Sequence, residues 1–260
     1  MNISARYSNL VKPHLTDRDL AIIAEVGRFK VMRGRQIERL YFAHVKETSR
    51  ARDRQAVLKR LKDNKYLAYV GERQKAGAKR GSTPYLYTLD KKGQELAKTS
   101  GRTRPPFSGY KPTLDHLLAI VDVYVDLVEA DRAGRFTLTC YESEPYCWRD
   151  YNGQKLKPDA FSQITLTHPS GRRLQGSFFI EVDRANEHGA KIDNKLPQYL
   201  AYHEYYRAAF PDRPFPRIVF LAPDDRRVNY LQGLLDGYPD YRPLFTVGLL
   251  DDPLTALLGR

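Results

Sequence analysis

The 260-residue chain is poor in cysteine, with only Cys140 and Cys147. Two thiols supply neither a disulfide framework nor the paired thiols of a structural zinc site. Long apolar runs are also missing. The most apolar stretch, Leu117 to Val128, is interrupted by Asp122 and Asp126, and the first residues contain no apolar leader, so neither a membrane span nor a secretory signal is predicted. A reducing, cytoplasmic setting is expected. Glycine and proline stand near average usage, there is no internal repeat or low-complexity tract, and collagen-like or disordered classes are thereby excluded. What remains is 42% hydrophobic residues, enough for at least one core and for two modest domains.

Charge is unevenly spread. Residues 1–104 carry 25 basic and 10 acidic side chains, net +15, whereas the rest carries 18 basic and 21 acidic, net −3, against +12 for the whole chain. Clustered Lys and Arg release counterions from a phosphate backbone, so the first part calls for a polyanionic partner such as nucleic acid. The nearly neutral second part is free to hold chemistry.

In the first part Thr16 is suited to cap a helix running to about Gly27, with Leu20, Ile23 and Ala24 at helical spacing and Gly27 at its exit. A second helix is predicted from Gly34 to Phe42. A third, capped by Thr48 or Ser49, runs to about Asp63, burying Val57, Leu58 and Leu61 and projecting Arg50, Arg52, Arg54, Lys59, Arg60 and Lys62. Strands at Tyr66 to Val70 and Tyr85 to Leu89 flank a polar stretch bearing Arg73, Lys75, Lys79 and Arg80, and Lys91 to Lys98 adds a helical exit. Three helices and a basic hairpin make a winged helix-turn-helix, its third helix suited to the major groove and its wing to phosphates or the minor groove. A solvated helical surface is the competing meaning of such charge.

Thr99 to Pro112 collects Ser, Gly, Thr and Pro without apolar periodicity and reads as the linker region. The expected organisation is an α+β two-domain chain: 1–104 winged helix, 105–112 linker, 113–260 second domain. In that second domain Thr113 caps a helix ending near Gly134. Strands follow at Arg135 to Tyr141, Asp159 to Leu166 and Leu174 to Val182, then a helix from Asp193 to Phe210 and a strand from Arg217 to Ala222. The order is αβββαβ, with one or two further elements after Asp225.

Carboxylates fall at telling places on this scaffold. Pro158-Asp159 opens the second strand, and Glu181 and Asp183 close the third, on one side of it by the two-residue period. Like charges beside an apolar run are costly unless something positive lies among them, and Mg²⁺ or Mn²⁺ suits carboxylate oxygens plus phosphate and water. Asp159, Glu181 and Asp183 are therefore the candidate metal ligands. Ordinary ion pairs with Arg184 or Arg149 are the competing explanation. Pro-Asp by itself carries no weight, since it recurs at Pro211-Asp212, Pro223-Asp224 and Pro239-Asp240.

These residues resemble a known pattern. Pro158-Asp159 followed by Glu181-Val182-Asp183 on this topology is similar to the PD-(D/E)xK restriction-endonuclease fold, with Asp183 in the place of its terminal Lys. Over nearly its full length the chain resembles the replication-relaxation family, which includes MOB-C plasmid relaxases. The matching features are His116, Lys157-Pro158-Asp159-Ala160-Phe161, the run from Phe178 to Arg184, and Glu187, Lys195 and Tyr199. In that family acid-x-acid replaces acid-x-Lys, while Ala185-Asn186 stands where members often carry Gly-Thr. The resemblance implies a mobilisation relaxase that nicks plasmid DNA, site- and strand-specifically, at the origin of transfer before conjugation. Double-stranded origin DNA, single-stranded DNA, a relaxosome accessory protein and a coupling ATPase are its implied partners.

Lys195 is the expected catalytic lysine beside Asp159, Glu181 and Asp183, with Lys157 and Lys191 as rivals; Glu142 or Glu144 could complete the ligand set, and His116 could order the site. Covalent tyrosine catalysis is not expected despite 18 tyrosines, because His14, His44, His116, His168, His188 and His203 form no His-x-His pair. Tyr199, Tyr202, Tyr205 and Tyr206 read as helix-surface and core aromatics, with a stacking contact to an unpaired base as a further use. Two other functions fit the same sequence: a non-catalytic replication or transfer-accessory protein, and a winged-helix transcriptional regulator.

Neutralising Arg73, Lys75, Lys79 and Arg80 together is expected to weaken DNA binding and to flatten the plot of log affinity against log salt by as much as about 3 to 4 units. An unchanged slope in fluorescence anisotropy removes the wing from the contact surface.

Overall fold

Thr16 does cap the first helix, α1 (Asp17–Phe29). Its hydroxyl accepts the Asp19 N–H at 3.2 Å while the Asp19 carboxylate takes the Thr16 N–H at 2.8 Å, a reciprocal capping box. The helix runs past Gly27 and turns at Lys30, whose φ is +66°. Gly27 instead lies where Leu89 and Ala97 press on the helix; a Cβ there would stand 3.0 Å from Leu89 Cδ1. Close approach, not exit, is the reason for that glycine.

The computed structural model describes residues 15–70, 85–98, 111–167, 170–185 and 190–259, and the chain divides into two compact units, Met1–Val125 and Asp126–Arg260. Both are built of helices and sheets, an α+β arrangement. Among the described residues no helix is long and apolar enough to cross a membrane.

In the first unit β1 (Met32–Arg33), α2 (Gly34–Tyr41) and α3 (Glu47–Asp63) follow α1. Lys46 is the N-cap of α3, which starts one residue ahead of Thr48, so neither expected cap is used. Val57, Leu58 and Leu61 are buried as their spacing predicts. Strands β2 (Leu67–Tyr69) and β3 (Leu86–Leu89) pair antiparallel, Leu67 against Leu89 and Tyr69 against Tyr87. β1 joins the other side of β3, giving the order β1-β3-β2; two residues are too few to leave an alternation signal. α4 (Lys91–Lys98) matches its predicted span. The wing residues Arg73, Lys75, Lys79 and Arg80, and most of the expected linker, lie outside the described residues.

α5 (Lys111–Arg132) begins ahead of Thr113 and crosses the division between the units. Its residues 111–125 belong to the first unit. There Arg33 meets Asp122 at 2.8 Å, and the buried Gln36 amide donates to the Leu118 carbonyl at 2.9 Å and to Asp122 at 2.6 Å.

The second unit is organised on a five-stranded sheet whose strands lie in the order Phe245–Leu249, Arg217–Ala222, Arg173–Val182, Ala160–Thr167 and Thr137–Ser143. β4 (Thr137–Ser143), β7 (Ala160–Thr167) and β8 (Arg173–Val182) are antiparallel neighbours. β9 (Arg217–Ala222) and β10 (Phe245–Leu249) run parallel to β8. A hairpin, β5 (Arg149–Tyr151) and β6 (Gln154–Leu156), turns on Asn152 and Gly153, both at positive φ. Asn-Gly is the strongest short-range hairpin signal, because both central residues of the turn need positive φ. α6 (Ala190–Ala209), with Pro197 inside, links β8 to β9; α7 (Asp225–Leu235) and α8 (Pro253–Leu258) flank β10 in sequence, so more elements follow Asp225 than expected. One sheet face carries Phe161, Phe179, Ile218 and Phe220, which cluster with Leu196, Tyr199 and Tyr202 of α6 and Leu231 and Leu235 of α7.

Gly93 tests the first unit's packing. On helix propensity alone Gly93→Ala would stabilise by about 1 kcal/mol, but the added methyl runs into the Tyr66 carbonyl oxygen, which is backbone and cannot swing aside. A net loss of about 1–3 kcal/mol is expected from urea unfolding.

Candidate active site

Asp159 sits immediately before β7, where three backbone contacts fix it. Its carbonyl accepts the Glu144 N–H at 3.0 Å, its carboxylate Oδ2 accepts the Val182 N–H at 2.8 Å, and the preceding Pro158 carbonyl accepts the Cys147 thiol at 3.0 Å. Because Ala160 pairs with Ile180, extending the register by one residue sets Asp159 opposite Glu181, on the side of the sheet that bears Phe161 and Phe179. Both acids are buried, at 8% and 3% exposure.

Two carboxylates at one buried point repel unless a cation joins them. The Lys195 ammonium, on the second turn of α6, does so: it donates to Glu181 Oε2 in a close contact and lies 3.5 Å from Asp159 Oδ1. One helical turn further along, the buried Tyr199 hydroxyl donates to Glu181 Oε1 at 2.7 Å. Leu196, Tyr199 and Tyr202 anchor that helix on the sheet, and the Tyr199 and Phe179 ring centres are 5.9 Å apart. The backbone that carries Lys195 is thereby held by packing.

Electrostatics follow from the geometry. Burial pushes the Glu181 carboxyl up to about 8, with Lys195 pulling it down and Asp159 pushing it further up. For Lys195 burial acts to lower the pKa, but the Glu181 and Asp159 carboxylates together outweigh it and hold the ammonium above the usual lysine value. Burial and then Glu181 raise Tyr199 well above an ordinary phenol, so it stays a proton donor in its hydrogen bond.

Asp183 does not join this group. It lies just past the end of β8, where Arg227 Nε donates to its Oδ2 at 2.6 Å and the Ala185 N–H to its Oδ1 at 2.8 Å. Arg227 comes from the first turn of α7, whose N-cap is Asp224, and stands over the Tyr230 ring. The expected convergence of three carboxylates is therefore corrected to two, since a guanidinium has taken the third. Among the described residues no three His, Cys, Asp or Glu side chains gather as a metal-holding group.

The remaining candidates are dispersed. Lys157 lies over the Trp148 ring, and the Lys191 side chain and Glu187 are outside the description. Glu142 pairs with Arg149 at 3.0 Å; Glu144 and His116 are half-buried, the latter in the first unit. Tyr202, Tyr205 and Tyr206 form an aromatic cluster with Phe215. Tyr199, expected as a core or surface aromatic, is a hydrogen-bond donor at the site, and its spacing of four from Lys195 is the sequence signal for that role.

The basic residues of α3 also divide. Arg50 is spent on the Ala43 and Val45 carbonyls, Arg54 on Glu38 at 2.7 Å, and Arg60 on the fully buried Asp19 through two contacts at 2.8 and 2.9 Å. Arg52 is exposed without an ion pair among the described residues, and Lys59 is exposed with only a surface partner, Asp63. Among the described residues Lys62 reaches only its neighbour Asp63 at 3.1 Å and lies over the Tyr69 ring; of the six expected to project over the surface, Arg52, Lys59 and Lys62 are placed to reach a partner.

A family model described as replication-relaxation matches residues 23–218 of the chain. No curated protein and no solved structure matches it.

Two substitutions probe the buried acids in metal-free protein. Tyr199→Phe leaves Glu181 Oε1 without its donor and is expected to cost about 1–3 kcal/mol in urea unfolding. Because the folded pKa of Glu181 lies above its ordinary 4.5, its contribution to stability is complete below 4.5 and is lost as pH rises through about 8. Glu181→Gln should flatten that fall. Parallel stability-against-pH curves for variant and parent would contradict it.

Proposed function

The chain belongs to the replication-relaxation family, and from that premise we propose that it is a plasmid mobilisation relaxase, a metal-dependent endonuclease that nicks one strand at an origin of transfer. Family membership itself points to a role in plasmid replication or relaxation. The finer reading takes the first unit as a winged helix that grips origin DNA. It is supported by three helices, a three-stranded sheet ordered β1-β3-β2 and the net +15 of residues 1–104. The second unit is taken as a restriction-endonuclease-like domain, supported by the antiparallel β4-β7-β8 run, the α6 crossover and the parallel β9.

The observation that carries the proposal is the meeting of Asp159, Glu181 and Lys195 at the ends of two strands and one helix. Two adjacent carboxylates fit Mg²⁺ or Mn²⁺, which commonly take one or two protein carboxylates and fill their remaining positions with water and phosphate oxygens. Asp159 and Glu181 would hold the ion; Asp183 is committed to Arg227. Bound there, the metal supplies Lewis acidity toward a phosphate oxygen and a more acidic water. Val182 and Tyr199 hold the two carboxylates in place, and the Lys195 ammonium, adjacent to both, offsets negative charge that builds on a phosphate during cleavage. Single-stranded DNA, a relaxosome accessory protein and a coupling ATPase belong to this reading as partners.

A second reading has its own observation. Lys195 and Arg227 already contact all three acids, as expected of a DNA-binding accessory protein whose second unit is a platform. Nicking separates the two. With Mg²⁺ or Mn²⁺ the protein should relax supercoiled plasmid carrying its cognate origin. Asp159→Ala and Glu181→Ala should abolish this with DNA affinity retained, Lys195→Ala should slow it about 10²–10³-fold, and Asp183→Asn should fall less far. Origin binding without relaxation under any divalent metal supports the platform; footprints confined to promoters support a transcriptional regulator.

A further inference from the structure

Tyr69 and Tyr85 form an exposed stack at the end of the β2–β3 pair where the chain leaves β2 and enters β3. Their ring centres are 4.5 Å apart with an interplanar angle of 18°, and they stay 40% and 37% exposed. Among the described residues of the first unit they are the large hydrophobic side chains left to solvent. Tyr87, paired with Tyr69 across the strands, packs its ring against it at 5.4 Å. The two-residue alternation explains the arrangement: Leu67, Leu89, Tyr69, Tyr87 and Tyr85 share one face, apolar and buried at the Leu67–Leu89 end, aromatic and exposed at the other.

Cations border this surface. Lys62, in the last turn of α3, sets its ammonium 5.4 Å over the Tyr69 ring, while also reaching Asp63. Lys59, three residues earlier on the helix, lies on the same side and is exposed. An apolar protein partner would have to bury those ammonium groups within a region of net +15. A nucleotide strand would not: its bases stack on aromatic rings and its phosphates meet the lysines, the combination that single-strand binding surfaces use.

We propose that the Tyr69–Tyr85 stack with Lys62 is a platform for an unpaired nucleobase, so that the first unit engages a single DNA strand in addition to duplex. This rests on the DNA-binding reading of that unit and is independent of whether Asp159 and Glu181 cut.

The test uses the full chain in EDTA, with an oligothymidylate of about 20 nucleotides and a duplex of similar length, read by fluorescence anisotropy at equal salt. Tyr69→Leu with Tyr85→Leu keeps apolar bulk but removes both rings, and is expected to weaken single-strand binding about five- to a hundredfold while duplex affinity stays within about twofold; Phe at both positions should restore it. A second measurement needs no variant: 2-aminopurine placed singly along the oligonucleotide should be quenched on binding at one position or more. Unchanged single-strand affinity in the Leu variant, equal loss on both DNAs, or no quenching at any position overturns the platform alone. Parent protein that binds neither DNA overturns the DNA-binding reading along with it.

Discussion

The second unit depends on one shared cation. Asp159 and Glu181 are carboxylates brought to adjacent strand ends under a helix, and burying either without compensation would cost several kcal/mol by desolvation alone. Lys195 meets both, so the helix that covers the sheet also supplies their shared counter-charge. Strand register, helix placement and side-chain charge are thereby coupled: displacing α6 would leave two buried acids facing each other.

The same rule governs acids elsewhere. Asp19, fully buried, is answered by Arg60 across 41 residues; Asp122 by Arg33 and Gln36; Asp183 by Arg227. Basic residues that look, from composition, like a uniform coat for DNA are thus of two kinds. Some hold the first unit together, and fewer, such as Arg52 and Lys59, are presented outward. Net charge describes the attraction, while ion pairing decides which side chains deliver it.

Patterns local in the chain were legible in the sequence. The Thr16 cap, the buried Val57, Leu58 and Leu61, and the β9 span followed from capping chemistry and periodicity, and so did the positions of Asp159, Glu181 and Lys195 along strand and helix. What was not legible depends on distant partners. Nothing within ten residues of Asp183 announces that Arg227 will reach it, and Gly27 shows its purpose only once Leu89 packs on it. β1 exists because β3 offers it an edge. The Asn152–Gly153 hairpin is different: its turn signal is local, but its strands are only three residues each, too short to show an alternation of their own.

Cys147 gives the site a last property. Its sulfur is fully buried, it is committed to the Pro158 carbonyl beside Asp159, and burial, then the Asp159 charge, push its thiol up. A sulfur so placed is almost never a thiolate, the form that oxidants and alkylating agents attack. The protein can therefore keep a cysteine next to its acids without becoming sensitive to peroxide there, and chemical labelling would mark the more accessible Cys140 first.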